Sequence, residues 1–441
     1  MFTDDMKKIL YTLLPLLACL TSTATQAGIN IEHWTAASGA RVYFVASRSL
    51  PMLDVQIDFA AGSVYGPAGK AGVAGLTVGL LDAGARIGET LLDEEQIAAR
   101  LVDTGAHLSG SADHDRASLS LRTLTSRAER EAALELMRAV LSTPSFPDEV
   151  LAREKSRSIS AIQEAATQPD SIAAKRFAAA IYPNHPYGVT ASEETVASIS
   201  RDDVLAFWRG HFGARRAVLA IIGDVSRAEA EAIADRLTEA LPQSPGVSPP
   251  PAVSWPQRET IRLAHPASQS HIHIGMPALK RTDADYFPLL VGNYTLGGGG
   301  FVSRLMQEVR EKRGYAYSVY SYFAPRKLEG PFEIGLQTKR EQAGAAIKLV
   351  EAVLADFLKN GPSPAELKAA KQNLIDGQAL RLDSNAKILG YLSLIGFYKL
   401  PLTYIEDFPR RIEAVTAQQV REAFARHVRP EHLVTVIVGG E

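Results

Sequence analysis

The sequence predicts an α+β fold of two duplicated domains, each a mainly antiparallel sheet with helices on one face. Three observations predict it. The two halves end alike: Ser200-Arg-Asp-Asp-Val204 leads to Trp208, His211 and the run Val218–Gly223. Thr416-Ala-Gln-Gln-Val420 leads in the same way to Phe424, His427 and Val434–Gly439. A constant offset of 216 relates Val204 to Val420, His211 to His427 and Gly223 to Gly439, and a gap-free match across a helix and a strand marks a tandem duplication. Second, prolines from Pro242 through Pro245 and Pro249-Pro250-Pro251 to Pro256 exclude regular structure and favour an extended, semi-rigid linker. Third, strand-like segments come in groups as well as singly between helices, against a doubly wound parallel sheet.

Individual elements follow from caps and periodicity. Ser200 and Thr416 are good N-caps for the helices after them, and the β-branched runs beyond read as buried strands stopped by glycine. The same offset sets Val55–Phe59 against His271–Gly275, two alternating strand-like segments. Leu119 and Leu121 fit a strand, whereas Ala128–Leu141, Val150–Ala165, Ala343–Leu358 and Ala365–Leu382 fit amphipathic helices. The resulting organisation is residues 1–27 as a signal peptide, 28–241 as the first domain, 242–257 as the linker and 258–441 as the second domain.

The signal peptide is expected because Lys7 and Lys8 precede an apolar run from Ile9 to Leu20, followed by small or polar residues to Thr25-Gln26-Ala27. That run is well short of the roughly 20 residues of a permanent membrane span, and Pro15 interrupts it. Export of this kind points to the periplasm. The sole cysteine, Cys19, lies in Leu16-Leu17-Ala18-Cys19, a loose match to a lipoprotein cleavage site and the alternative mode of export. Cleavage after Ala27 leaves no cysteine, which excludes disulfides, thiolate metal sites and a cysteine nucleophile. Lys+Arg 47 against Asp+Glu 49 gives a net charge of -2, so there is no electrostatic footprint for nucleic acid.

None of the ten histidines pairs at i, i+4 on a helix. His271 and His273 share a strand face, a weak H-x-H that reads as two partly buried structural histidines rather than a metal site, since the duplicate strand carries Val55 and Ile57 there. His211 and His427 suit packing or a helix C-terminus. Gly297-Gly-Gly-Gly300 lacks the Lys-Ser/Thr of a phosphate loop and reads as a flexible turn before a helix Phe301–Lys312. No Gly-x-Ser-x-Gly elbow is present. The residues alone therefore give no complete catalytic apparatus. Arg310, near the end of Ser303–Gly314, and Tyr317, early in the strand Tyr315–Phe323, can converge across the intervening turn. Such a pair suits donation to a developing oxyanion, or ordinary packing.

Ser303-Arg-Leu…Val-Arg310-Glu-Lys-Arg-Gly-Tyr-Ala-Tyr317-Ser-Val closely resembles the second-domain motif of the pitrilysin/insulinase-type zinc metallopeptidases. Tyr182-Pro-Asn-His-Pro-Tyr-Gly188 and the segments ending at Gly223-Asp224 and Gly439 are similar to that family too, so the resemblance covers the chain beyond the leader. It implies a clam-like chamber, a zinc site in a first domain, and an Arg and Tyr, here Arg310 and Tyr317, that help bind the substrate carbonyl. The family's inverted zinc motif, H-x-x-E-H, is missing. Gly75 and Gly79 stand where its histidines belong and Val78 where its general base belongs; Ala161 falls at the third ligand, with Glu164 three residues on as the alternative should that alignment slip. Glycine, valine and alanine side chains offer zinc no ligand atom.

The resemblance thus implies a non-catalytic subunit with no metal of its own, contributing Arg310 and Tyr317 in trans to a homologous partner that carries zinc. Its substrates are expected to be peptides or small unfolded proteins. The alternatives are a scaffold or binding protein of the same fold, and a self-sufficient hydrolase using residues outside these motifs.

Overall fold

The computed structural model describes residues 29–244, 246 and 248–440, so the expected leader, its cleavage site and Cys19 lie outside the described residues. The described strands and helices all belong to one compact unit, Ile31–Glu441.

The first half of that unit contains strands β1 (Glu32–Thr35), β2 (Arg41–Ala46), β3 (Met52–Phe59), β4 (Gly84–Ile87), β5 (Thr90–Asp93), β6 (His107–Ala112), β7 (Ala117–Leu124) and β8 (Val218–Gly223). Its helices are α1 (Val73–Gly79), α2 (Glu94–Asp103), α3 (Arg127–Ser142), α4 (Asp148–Ala165), α5 (Pro169–Ile181), α6 (Glu193–Ser198), α7 (Arg201–His211) and α8 (Arg227–Thr238). The second half adds β9 (Glu259–Ala264), β10 (Gln269–Leu279), β11 (Ala316–Phe323), β12 (Gly330–Lys339) and β13 (Val434–Gly440). With them come α9 (Tyr286–Asn293), α10 (Ala343–Asn360), α11 (Pro364–Asp376), α12 (Asn385–Tyr398), α13 (Tyr404–Glu413) and α14 (Ala417–His427).

Both halves build the same sheet. The first runs β1-β2-β8-β3-β7-β6 and the second β9-β13-β10-β12-β11, so β2, β8, β3, β7 and β6 match β9, β13, β10, β12 and β11. In each, one matched pair is parallel, β2 with β8 and β9 with β13, and the other neighbours are antiparallel. The expected N-caps form: the Ser200 side chain accepts from the Asp203 amide and the Thr416 side chain from the Gln419 amide, each within a reciprocal capping box.

The sequence pattern placed helices on one face of each sheet; a second layer covers the other. Leu53, Val55, Ile57 and Phe59 of β3 face α3, α7 and α8 in one core. The alternate residues Gln56 and Asp58 face α12, a helix from the other half: Gln56 Nε2 donates to Ser393 Oγ at 2.9 Å, and Ser393 Oγ donates to Asp58 Oδ2 at 2.5 Å. The exchange is reciprocal. Ala173, Phe177, Ala180 and Ile181 of α5 pack on Val434, Val436 and Val438 of β13. α5 and α12 begin at Pro169 and Asn385, the same 216 residues apart. The signal was present in Val218–Gly223, which is apolar on both faces and is buried throughout, as a strand covered on both sides requires.

Three local expectations need correction. The helix expected over Ala365–Leu382 stops at Asp376, where Gly377 ends it before a 3₁₀ turn at Ala379–Arg381. The helix expected over Phe301–Lys312 is a 3₁₀ turn, Gly300–Val302, followed by a π-helical turn, Met306–Glu311. Gly297 and Gly298 are not a flexible turn but the end of a π-helical segment, Tyr294–Gly298. A Cβ on Gly297 would lie 2.5 Å from the Ser321 amide nitrogen, so glycine here permits backbone to approach β11.

Candidate functional site

The helix that carries the degenerate zinc positions is intact. α1 buries Val73, Ala74, Leu76, Thr77 and Val78 and exposes Gly75 and Gly79 side by side, one turn apart. A Cβ at either glycine meets nothing within 4 Å. Both positions therefore have room for a Cβ, and what they lack for zinc is a ligand atom. Val78 packs toward Gly110 of β6, whose added Cβ would lie 2.5 Å from Val78 Cγ1. Ala161 is exposed on α4, while its neighbours Ile159 and Ile162 pack against the core that holds α1. Glu164, the alternative ligand position, is also exposed on α4. Zinc does not fit this set: an i, i+4 face without imidazoles and a buried methyl pair in place of a carboxylate provide neither ligands nor a base.

Arg310 and Tyr317 do converge. The Arg310 guanidinium carbon lies 5.1 Å from the Tyr317 ring centroid and 4.8 Å from that of Phe301, so the cation sits between two aromatic faces. Two backbone irregularities set this up. Arg310 rides on the π-helical turn, and Tyr317 occupies a β-bulge, where β11 passes from Ala316 opposite Thr338 to Ser318 opposite Gln337. Such a bulge redirects a side chain, and Tyr317 is 81% exposed on this edge strand. Neighbouring cations Lys312 and Arg313 pair with Glu308, while Arg310 has no carboxylate partner among the described residues. The preceding residues of the motif are structural. Arg304 forms a bidentate pair with Glu366, at 2.6 and 2.8 Å, and holds the start of α11. Together with the Ser363 cap, that arginine holds the Glu366 carboxyl down at about 2 against the opposing effect of burial.

Between the halves lies a cavity of about 810 Å³, lined by Asp113–Arg116 on one side and by Arg281, Tyr320, Tyr322 and Arg326 among others on the other. Asp115, 1% exposed, closes one end. It accepts from the Tyr187 hydroxyl, from the Tyr398 hydroxyl at 2.9 Å and from the Lys327 amide at 2.7 Å. One carboxylate thus ties the Tyr182–Gly188 motif of the first half to α12 and the β11–β12 loop of the second. Burial, then the negative Asp115, pushes both phenols well above the usual tyrosine range and keeps them as donors. His185 completes the motif: Nδ1 accepts from the Tyr187 amide at 3.0 Å, and Nε2 bonds the Pro251 carbonyl at 3.0 Å, anchoring the linker.

His114 borders the same cavity. Burial, reinforced by the nearby Arg326, lowers its pKa to about 4. The unfolded chain takes up this proton below about pH 6.5, and the folded chain refuses it until about pH 4, so stability is lost as pH falls through that window. The expected loss is about 2 kcal/mol after allowing for partial exposure of the ring. Denaturant midpoints at neutral pH and near the lower end of the window should show it, and His114→Gln should flatten the dependence.

Four further histidines have local partners. His273 Nδ1 lies 2.7 Å from Glu333, with Phe177 of α5 stacked on its ring, and His271 lies 3.3 Å from Gln337. The duplicates His211 and His427 bond the Ala60 and Ala278 carbonyls. His427 also lies near Asp283 and Asp285, a grouping within reach of one cation that sequence spacing did not reveal. There Arg426 already grips Asp285 with two 2.8 Å bonds.

Comparison with known proteins agrees with this architecture. The family model described as "Peptidase M16 inactive domain" matches residues 198–374. A crystal structure of a peptidase M16 inactive domain from Pseudomonas fluorescens is 38% identical, with a TM-score of 0.88, over 93% of this chain and 98% of that one. The non-peptidase homolog YmxG of Helicobacter pylori is 23% identical over 99% of both chains. The periplasmic protease PqqL of Escherichia coli, at 17% identity, shares the fold with a TM-score of 0.78 over 93% of this chain and 46% of its own length. The chain belongs to the M16 metallopeptidase family, the pitrilysin/insulinase type, as an inactive member lacking the zinc motif.

Proposed function

We propose that this chain is the non-catalytic subunit of a two-chain periplasmic zinc peptidase, presenting Arg310 and Tyr317 to peptide bound at a homologous partner's metal. The observation that carries this reading is the contrast between the two motifs. Gly75, Val78, Gly79 and Ala161 offer zinc no ligand atom, whereas a half-buried Arg310 and an exposed Tyr317 stand together on a π-helical turn and a bulge. Transition-state hydrogen bonds need not come from the chain that binds the metal. The expected leader supports export, and a periplasmic protease of the same fold agrees with that compartment.

A second reading, a metallopeptidase-like scaffold with no catalytic part, draws support from the full-length relative named a non-peptidase homolog. The two separate in a reconstituted pair with a zinc-bearing homologue. Under the proposal, Arg310→Ala and Tyr317→Phe each lower peptide turnover roughly tenfold to a thousandfold, the range for losing an oxyanion donor. Unchanged kinetics in both variants would leave only the scaffold.

A further inference from the structure

A second cavity, of about 450 Å³, shares Arg281, Arg326 and Tyr398 with the wall of the larger one. Seven of its eleven lining residues are basic and none is acidic. The whole chain carries 47 basic and 49 acidic residues, so this sorting is local. The cations come from both halves: Arg41, Arg215 and Arg216 from the first, Arg281, Arg326, Lys327 and Lys399 from the second. Leaving Arg216 aside, none of these forms an ion pair with a carboxylate among the described residues. Their side-chain hydrogen bonds go to neutral groups, as in Arg41 to the Gly396 carbonyl at 2.8 Å and Lys327 Nζ to the Tyr65 hydroxyl at 2.8 Å, while the Lys327 backbone amide is the one that meets Asp115.

Two further features point to a missing counter-charge. Arg281 Nε and Arg326 Nη1 are buried without any hydrogen-bond partner, an arrangement that costs free energy unless something accepts from them. Lys399 ends α12 with φ 56, the left-handed conformation that glycine adopts without penalty, yet the position carries a cationic side chain at the cavity. Guanidinium groups pair in fork geometry with phosphate and carboxylate oxygens. A single carboxylate leaves most of this charge unbalanced, whereas a multivalent anion of small size fits both the volume and the charge.

We infer that this cavity is a binding site for a small multivalent oxyanion, one bearing two or more phosphate or carboxylate groups, and that its occupant bridges the two halves. The test is calorimetric titration of the full chain at low ionic strength with pyrophosphate and with tricarballylate, whose relative affinities distinguish a phosphate from a carboxylate source. Saturable one-to-one binding is expected, weakened about tenfold by Arg215→Ala and about tenfold by Lys399→Gly, with steep dependence on salt. Lys399→Gly suits the backbone angle and Arg215 is exposed, so both variants should fold. Absence of saturable binding by both anions overturns the inference. So does binding that neither variant alters, or binding of an acidic hexapeptide when neither small anion binds.

Discussion

Asp115→Ala is expected to lower the stability of the chain by about 3–5 kcal/mol, because one buried and two part-buried donors lose their common, buried acceptor at once. The carboxylate is 1% exposed, so water does not replace it for the Tyr187 and Tyr398 hydroxyls or the Lys327 amide. These donors come from different parts of the two halves, and the loss falls on the contact between them. Asp115→Asn, which keeps a carbonyl oxygen, should cost less. Urea unfolding followed by far-ultraviolet circular dichroism measures both. Near-parent stability of Asp115→Ala would mean that the halves are held by apolar contact alone.

The next largest loss is expected from Gly396→Val, at about 3 kcal/mol. Helix α12 lies so close to the first sheet that a Cβ at this position would stand 2.4 Å from Val218 Cγ1 and 2.7 Å from Tyr43 Cε2. The helix must then lift, breaking the bond from Arg41 to the Gly396 carbonyl and disturbing the Ser393 contacts with Asp58 and Arg116. Gly390 on the same helix supplies the control. It is exposed with nothing within 4 Å of a Cβ, so Gly390→Ala should stabilise by about 0.5–1 kcal/mol. Equal effects of the two substitutions would show that α12 does not press on the sheet.

Much of this architecture was legible because the duplication preserves spacing. The offset that matches His211 to His427 also relates α7 to α14, β8 to β13 and the exchanged helices α5 to α12. What the sequence pattern missed was long-range. Amphipathic periodicity says that Phe177 or Leu392 is buried but not against which sheet, and the polar Gln56 and Asp58 reveal their partner only when Ser393 arrives from more than three hundred residues away. The π-helical turn at Met306–Glu311 escaped because its composition is that of an ordinary helix, and the bulge at Tyr317 because register is a property of paired strands. Gly75, Val78 and Gly79 were readable in full, since a zinc ligand is a matter of atoms present or absent. The basic cavity was not, since its seven cations are scattered from Arg41 to Lys399.

Zinc content tests the account most directly. Purified alone and dialysed against excess zinc, the chain should hold far less than one equivalent by elemental analysis and cleave no unfolded peptide; mixed with a zinc-bearing homologue, activity and metal should appear together. One tightly held zinc per lone chain, lost on substitution within α1, would contradict it.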